Sequence, residues 1–177
     1  MGHRPHKDMA AAKVDFAVVT VSDTRSADDD DSGAEIKRLL GQAGHRLRGY
    51  EIVPDDPGRV AAAIARLAGE VDAVIVNGGT GIAPRDNTYE AITGLIDKRI
   101  DGFGELFRML SYQQIGTAAM ASRAVAGLVG QAVVFSLPGS TAACRLACEK
   151  LIVPELGHLC SLSGGSAKVD GGDGDEG

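Results

Sequence analysis

Short apolar runs rich in β-branched residues alternate along this chain with longer stretches whose apolar residues recur at helical spacing, and that alternation leaves few folds open. Residues 15–21 (DFAVVTV) read as a strand, and from 32 to 43 Ile36, Leu39, Leu40 and Ala43 share one helical face. Ser32 and Glu35 fit a capping box at the start of that helix, and Gly44 stops it. Residues 46–53 read as a second strand, 57–68 as a helix with Pro57 in its first turn, and 72–77 (DAVIVN) as a buried strand. Helices follow over 86–96 and 104–114, then a strand over 131–137 (QAVVFSL) and a long closing helix over 140–159. Strands separated by helices need crossover connections, so the expected fold is α/β, a three-layer α/β/α domain around a mostly parallel sheet covered on both faces. No internal repeat occurs at a fixed period.

Composition sets the outer limits. The 177 residues, 44% of them hydrophobic, suit one domain rather than two, large enough to fold without disulfides or a structural metal. No run approaches the roughly 20 apolar residues that would span a bilayer, so no membrane partner is expected. Residues 163–177 are rich in Gly and Asp and offer almost nothing to bury, so a disordered tail is expected there and a loose arm over 1–13, with the folded domain over 14–162. The formal net charge of −6 is concentrated in the middle of the chain, because the arm is basic and the tail acidic. An acidic domain has no positive stripe with which to displace counterions, which argues against nucleic acid as a partner. Cys144, Cys148 and Cys160 are odd in number and have no histidine at metal-ligand spacing. Buried reduced thiols in a cytoplasmic protein is the reading they favour.

In sheets of this kind ligands bind beyond the carboxyl ends of the strands, which directs attention to three loops. They are Ser22-Asp23-Thr24-Arg25-Ser26, Asn77-Gly78-Gly79-Thr80-Gly81 and Pro138-Gly139-Ser140-Thr141. The second carries the sharpest signal. Its three glycines let the backbone approach a ligand and aim N–H groups at it, with a helix start just beyond, so an anion, above all a phosphate, is the expected guest. It is not a dinucleotide fingerprint, since Pro84 occupies the third glycine position, and no Gly-Lys-Ser or Gly-Lys-Thr of a P-loop occurs. Pro138-Gly139-Ser140 is a second candidate by the same logic, with helix capping by Ser140 an equal alternative. Asp55 and Asp86 fall on the same edge. They could hold Mg²⁺ beside a phosphate, or serve as turn and cap residues. The acids at 28–31 complement a helix dipole, and Arg123 fits either an anionic ligand or a partner acid.

These pieces together resemble the MoaB/MogA family of molybdenum cofactor biosynthesis proteins. The likeness rests on VTVSDTRS at 19–26, DDSG at 30–33, VPDD at 53–56, NGGTGIAPRD at 77–86, GFGELFRMLSYQQIG at 102–116, SRAVAG at 122–127 and LPGST at 137–141. The third-to-last stretch is similar to the MoaB branch. The resemblance implies a homotrimer or homohexamer that adenylylates molybdopterin with Mg-ATP, releasing pyrophosphate, with other molybdenum cofactor enzymes as further partners. It implies that Asp55 and Asp86 are the important acids and position Mg²⁺. It places Ser22, Asp23, Asn77, Gly78, Gly79, Thr80 and Gly81 around the nucleotide, and Pro138, Gly139 and Ser140 around the pterin's phosphate. Asn77 stands where many members have Thr, and Tyr89 where many have Pro. The competing expectations are a non-catalytic MoaB-type oligomer that binds pterin or a partner enzyme, and a pyridine-nucleotide oxidoreductase, which Pro84 disfavours.

Overall fold

The structure is a computed structural model that describes residues 12–164. Its six strands are β1 (Asp15–Val21), β2 (Arg46–Val53), β3 (Ala73–Asn77), β4 (Lys98–Arg99), β5 (Val125–Val129) and β6 (Ala132–Leu137). Its helices are α1 (Asp31–Gln42), α2 (Pro57–Ala68), α3 (Thr88–Leu95), α4 (Asp101–Ile115), α5 (Thr141–Ala147) and α6 (Val153–Leu162). The strand order is β2-β1-β3-β6-β5-β4, with β2, β1, β3 and β6 parallel and β5 antiparallel to both of its neighbours. A mixed, mostly parallel sheet is what the alternation of elements required.

The three layers follow from period-two alternation along the central strands. Phe16 and Val18 of β1, Ile75 of β3 and Phe135 of β6 point to one side, where Ile36 and Leu40 of α1, Phe107 of α4 and Leu156 of α6 cover them. Ala17 and Val19, Val74 and Val76, and Val134 point to the other, against Val60, Ile64 and Leu67 of α2 and Ile92 of α3. Phe16, Phe107 and Phe135 are fully buried, each contributing about 1.5–3 kcal/mol through the apolar surface removed from water.

Three local features depart from expectation. Helix α1 is capped by Asp30, whose side chain accepts from Gly33 N, so Ser32 and Glu35 form no capping box. Glu35 is instead paired with Arg38 and Arg145, which hold its carboxyl down to about 2. The Ser-Arg-Ala-Val-Ala-Gly segment runs into β5, which forms a hairpin with β6 through Gly130 at φ +59°. The closing helix is interrupted by a π turn over Cys148–Ile152, where Pro154 has no N–H to continue the α ladder.

Residues 1–11 of the expected arm and 165–177 of the expected tail lie outside the described residues. Ser163 belongs to the last turn, its N–H donating to Leu159 O at 3.1 Å. Among the described residues no helix is long and apolar enough to cross a membrane. Cys144, Cys148 and Cys160 are free and buried, and burial pushes all three thiols up, Cys144 and Cys160 to about 12.

Candidate active site

Parallel register brings the strand ends level. Val21 lies opposite Val53, Thr20 opposite Asn77, and Asn77 opposite Leu137, so the loops after β1, β2, β3 and β6 open on one edge. The glycine loop is wedged between its neighbours. Gly78 N–H donates to Leu137 O at 3.0 Å, and at φ +96° a Cβ on Gly78 would stand 2.3 Å from Val21 O. Gly79 has φ +63°, and a Cβ there would meet Thr88 Oγ1 at 2.0 Å and Asp55 Oδ2 at 3.0 Å. Only glycine meets both demands, left-handed backbone and close contact with neighbouring atoms. Gly139 sits against Gly78 Cα, which joins the third loop to the second. Thr88 N–H at the start of α3 donates to Gly79 O at 3.1 Å. Among the described residues the N–H groups of Gly79, Thr80, Gly81 and Ile82 have no intramolecular partner, so four consecutive donors are free for an acceptor.

Beneath the loops lies a buried polar network. Asp30 accepts from Thr20 Oγ1 at 2.6 Å, Tyr50 Oη at 2.7 Å, Ser32 Oγ at 3.1 Å and Gly33 N at 3.0 Å. Burial alone would raise this carboxyl, but those four hydrogen bonds outweigh it and hold it below its ordinary range. Arg25 joins the network, pairing with Asp30 and reaching Gly139 O at 3.3 Å. Asn77 is part of it too. Its Nδ2 donates to Thr20 Oγ1 at 2.9 Å, and its Oδ1 lies 2.9 Å from Ser32 Oγ, whose single proton is shared between Asn77 Oδ1 and Asp30, in a fully buried position. The Asn77 side chain therefore supports the loop from inside the fold and does not face a ligand, contrary to the expectation that places it around the nucleotide.

The other expected residues sit at the rim. Ser22 Oγ accepts from Arg25 N at 3.1 Å, and Asp23 Oδ1 accepts from Asp55 N at 3.0 Å, tying the β1 loop to the β2 loop. Ser140 caps α5 by accepting from Ala143 N at 3.2 Å. Asp55 accepts from Thr88 Oγ1 at 3.4 Å, and Asp86 Oδ2 accepts from Ala83 N at 3.0 Å. Partial burial, with smaller contributions from the charges of Asp86 and Asp23, raises the Asp55 carboxyl above its ordinary value. Among the described residues no Lys, Arg or His forms an ion pair with Asp23, Asp55 or Asp86. Three carboxylates thus share one edge without a countercharge, an arrangement that a cation relieves. The donors are all oxygen, as Mg²⁺ requires, but no three acids, histidines or cysteines among the described residues gather into a metal cage. A cation here would complete its shell with phosphate oxygens and water.

Of the two readings left open for Arg123, an anionic ligand or a partner acid, the structure shows the acid, together with three backbone carbonyls. Arg123 Nε donates to Thr80 O at 3.0 Å, its Nη2 to Gly81 O and to Asp86 O at 3.1 Å, and its Nη1 pairs with Glu90. The guanidinium also lies over the Tyr89 ring, 4.9 Å from its centroid.

The glycine loop also lines an open cleft of about 370 Å³, shared with Pro138 to Ser140 and with Phe107, Ser111, Ile115 and Ser122. Ser122 Oγ is buried with no hydrogen-bond partner among the described residues. The cleft's α4 wall was missed by loop-centred sequence reasoning, although Phe107, Ser111 and Ile115 recur at helical spacing.

Comparison with known proteins fits this geometry. A family model described as a probable molybdopterin binding domain matches residues 17–158. Molybdenum cofactor biosynthesis protein B of Bacillus cereus is 53% identical over 159 residues, covering 87% of this chain and 93% of that protein. A crystal structure of a molybdenum cofactor biosynthesis protein B superposes with a TM-score of 0.82 at 52% identity, covering 86% of this chain and 96% of the other. The tungsten cofactor synthesizing protein MoaB from Pyrococcus furiosus gives a TM-score of 0.78 at 39% identity, covering 85% and 97%. The chain belongs to the MoaB/MogA family. The segment matched by the family model contains every loop of the candidate site described above, from Ser22 to Ser140.

Proposed function

We propose that this chain acts in molybdenum or tungsten cofactor biosynthesis as a molybdopterin adenylyltransferase, with ATP as co-substrate and Mg²⁺ as cofactor. The observation that carries the reading is the glycine loop's position: it lines a ligand-sized cleft and touches two carboxylates that have no countercharge among the described residues. In the reaction an oxygen of the pterin's terminal phosphate attacks the α-phosphorus of ATP. A new P–O–P bond forms, the bond from the α-phosphorus to its bridging oxygen breaks, and pyrophosphate leaves with that oxygen. Such transfers depend on positioning and charge neutralisation more than on covalent help from the protein.

Each part of the site has a role in that scheme. The free N–H groups of Gly79 to Ile82 receive phosphate oxygens. Pro138, Gly139 and Ser140 bound the pterin's phosphate, and Ser22 and Asp23 border the nucleotide. The cleft takes the ring system, with Ser122 Oγ as an orphaned hydroxyl for a polar edge. Asp55 and Asp86 would hold Mg²⁺, whose chemistry is to offset phosphate charge. A homo-oligomer and a cytoplasmic setting belong to the same proposal, the latter resting on three buried, unpaired thiols that suit a reducing compartment.

The test is pyrophosphate release by purified protein given molybdopterin, ATP and Mg²⁺, beside folded Asp55→Ala and Asp86→Ala variants. Release that falls at least about a hundredfold in both variants is the expected result. No release from wild type with intact pterin would replace the enzyme with a pterin-binding oligomer.

A further inference from the structure

We infer that Arg123 is the positioning residue of the glycine loop, fixing the direction of its free N–H groups and the place of Asp86, and that it binds no substrate anion; this rests on the adenylyltransferase reading. An arginine has five N–H donors. Here Nε, both hydrogens of Nη2 and one of Nη1 are engaged, by Thr80 O, Gly81 O, Asp86 O and the Glu90 carboxylate. One donor is left, with Tyr89 against the face of the guanidinium. A guanidinium so occupied has little capacity for a bidentate grip on phosphate.

What it does instead follows from peptide planarity. In a trans peptide the carbonyl and the next residue's N–H point in opposite directions. By drawing Thr80 O and Gly81 O toward itself, Arg123 turns Gly81 N–H and Ile82 N–H to the far side of the loop. Those are two of the four N–H groups without an intramolecular partner. The third carbonyl it holds belongs to Asp86, so the same side chain fixes the backbone from which that carboxylate projects. Thr80 and Asp86 are six residues apart along an otherwise exposed loop, and among the described residues only Ala83–Asp86 hydrogen bonds span its middle. A lysine at this position could not substitute, because a single ammonium cannot reach three carbonyls arranged along a planar fork.

The test compares Arg123→Lys and Arg123→Ala with wild type in two assays. The first is steady-state pyrophosphate release. The second needs no activity: mass-resolved trypsin cleavage after Arg85, an exposed residue in the clamped loop. Both variants are expected to lose kcat about a hundredfold with little change in KM for the pterin, since misplacement by about 1 Å has that cost. Both are also expected to be cut after Arg85 at least about tenfold faster while the rest of the domain stays resistant. If Arg123→Lys retains wild-type kcat and only KM rises, Arg123 is an anion ligand and the inference fails. It fails equally if neither variant changes cleavage after Arg85. Absent release from wild type with accelerated cleavage in both variants would sink the adenylyltransferase reading and leave the clamp standing. If Arg123→Ala does not fold, the lysine variant decides the question alone.

Discussion

At Asp55 a carboxylate is held partly out of water, near Asp86 and Asp23, with no cation beside it among the described residues. Its pKa is raised in the fold, so its charged form is disfavoured relative to the unfolded chain, and the deficit is present at neutral pH and vanishes as pH falls below the folded value. Asp55→Asn is therefore expected to melt at or slightly above the wild-type temperature at pH 7, with the advantage lost near pH 4, while pyrophosphate release disappears. Thermal unfolding across pH reads this, and a clear loss of stability at pH 7 would contradict it. Gly79→Ala is expected to lose activity and stability together, because an added Cβ collides with Thr88 Oγ1 and the backbone sits at φ +63°. Its melting temperature should fall by at least about 2–4 °C, for a cost of at least about 1 kcal/mol. The three thiols should stay silent toward a disulfide reagent in the native protein and react on denaturation, since burial holds them protonated. At this scale the glycines were legible because their spacing states a backbone requirement, whereas for Asp55 and Asp86 the residues alone gave the shared edge and left cation binding and turn or cap roles open. Asn77 was misread, though strand parity carried the signal: it continues the Ala73, Ile75 face that packs toward α1. Arg123 was left open because its partners lie 33 to 43 positions away.

At the level of elements, the network around Asp30 ties the start of α1 to β1, β2 and the end of β3. Asp30→Ala removes a helix cap and leaves the Thr20 and Tyr50 hydroxyl protons without their acceptor, so a loss of about 3 kcal/mol, or about 6–12 °C in melting temperature, is expected. Because the Asp30 carboxyl titrates below its ordinary range in the fold, its contribution is full above about pH 4 and fades as pH falls through the folded value. The gap between wild type and Asp30→Asn should narrow accordingly in acid, as chemical denaturation at several pH values would show. The sequence could not single out Asp30, since four consecutive acids and Ser32 all offer a cap, and the choice is made by donors from distant strands. Strand β5 was missed for a different reason. Its alanine and glycine weaken the strand signal, yet Gly127 is required there because a Cβ would stand 2.6 Å from Lys98 O. The central strands were legible because burial on both faces makes them continuously apolar.

For the whole molecule, one surface stands out. Leu106, Met109, Tyr112 and Ile115 of α4, with Met120 beyond it, are exposed at 47 to 84%. Several large apolar side chains on one element are more than a monomer ordinarily leaves in water. The proposed homo-oligomer is expected to cover them. Light scattering should give a multiple of 18.2 kDa for wild type, and Leu106→Glu with Met109→Glu should lower that mass without unfolding the domain. A wild-type monomer would contradict the expectation. The layer order and the shared loop edge were legible from sequence, because crossover connections force them; the size of the assembly was not, because exposed apolar residues on a helix read like core residues. The central claim is that this edge transfers an adenylyl group, and it is tested most directly by following the α-phosphate of ATP. With α-labelled ATP, Mg²⁺ and molybdopterin, the label should move onto the pterin in the wild type and stay on the nucleotide with Asp86→Ala. Label that never leaves the nucleotide in the wild type, with the pterin bound and intact, would contradict the account.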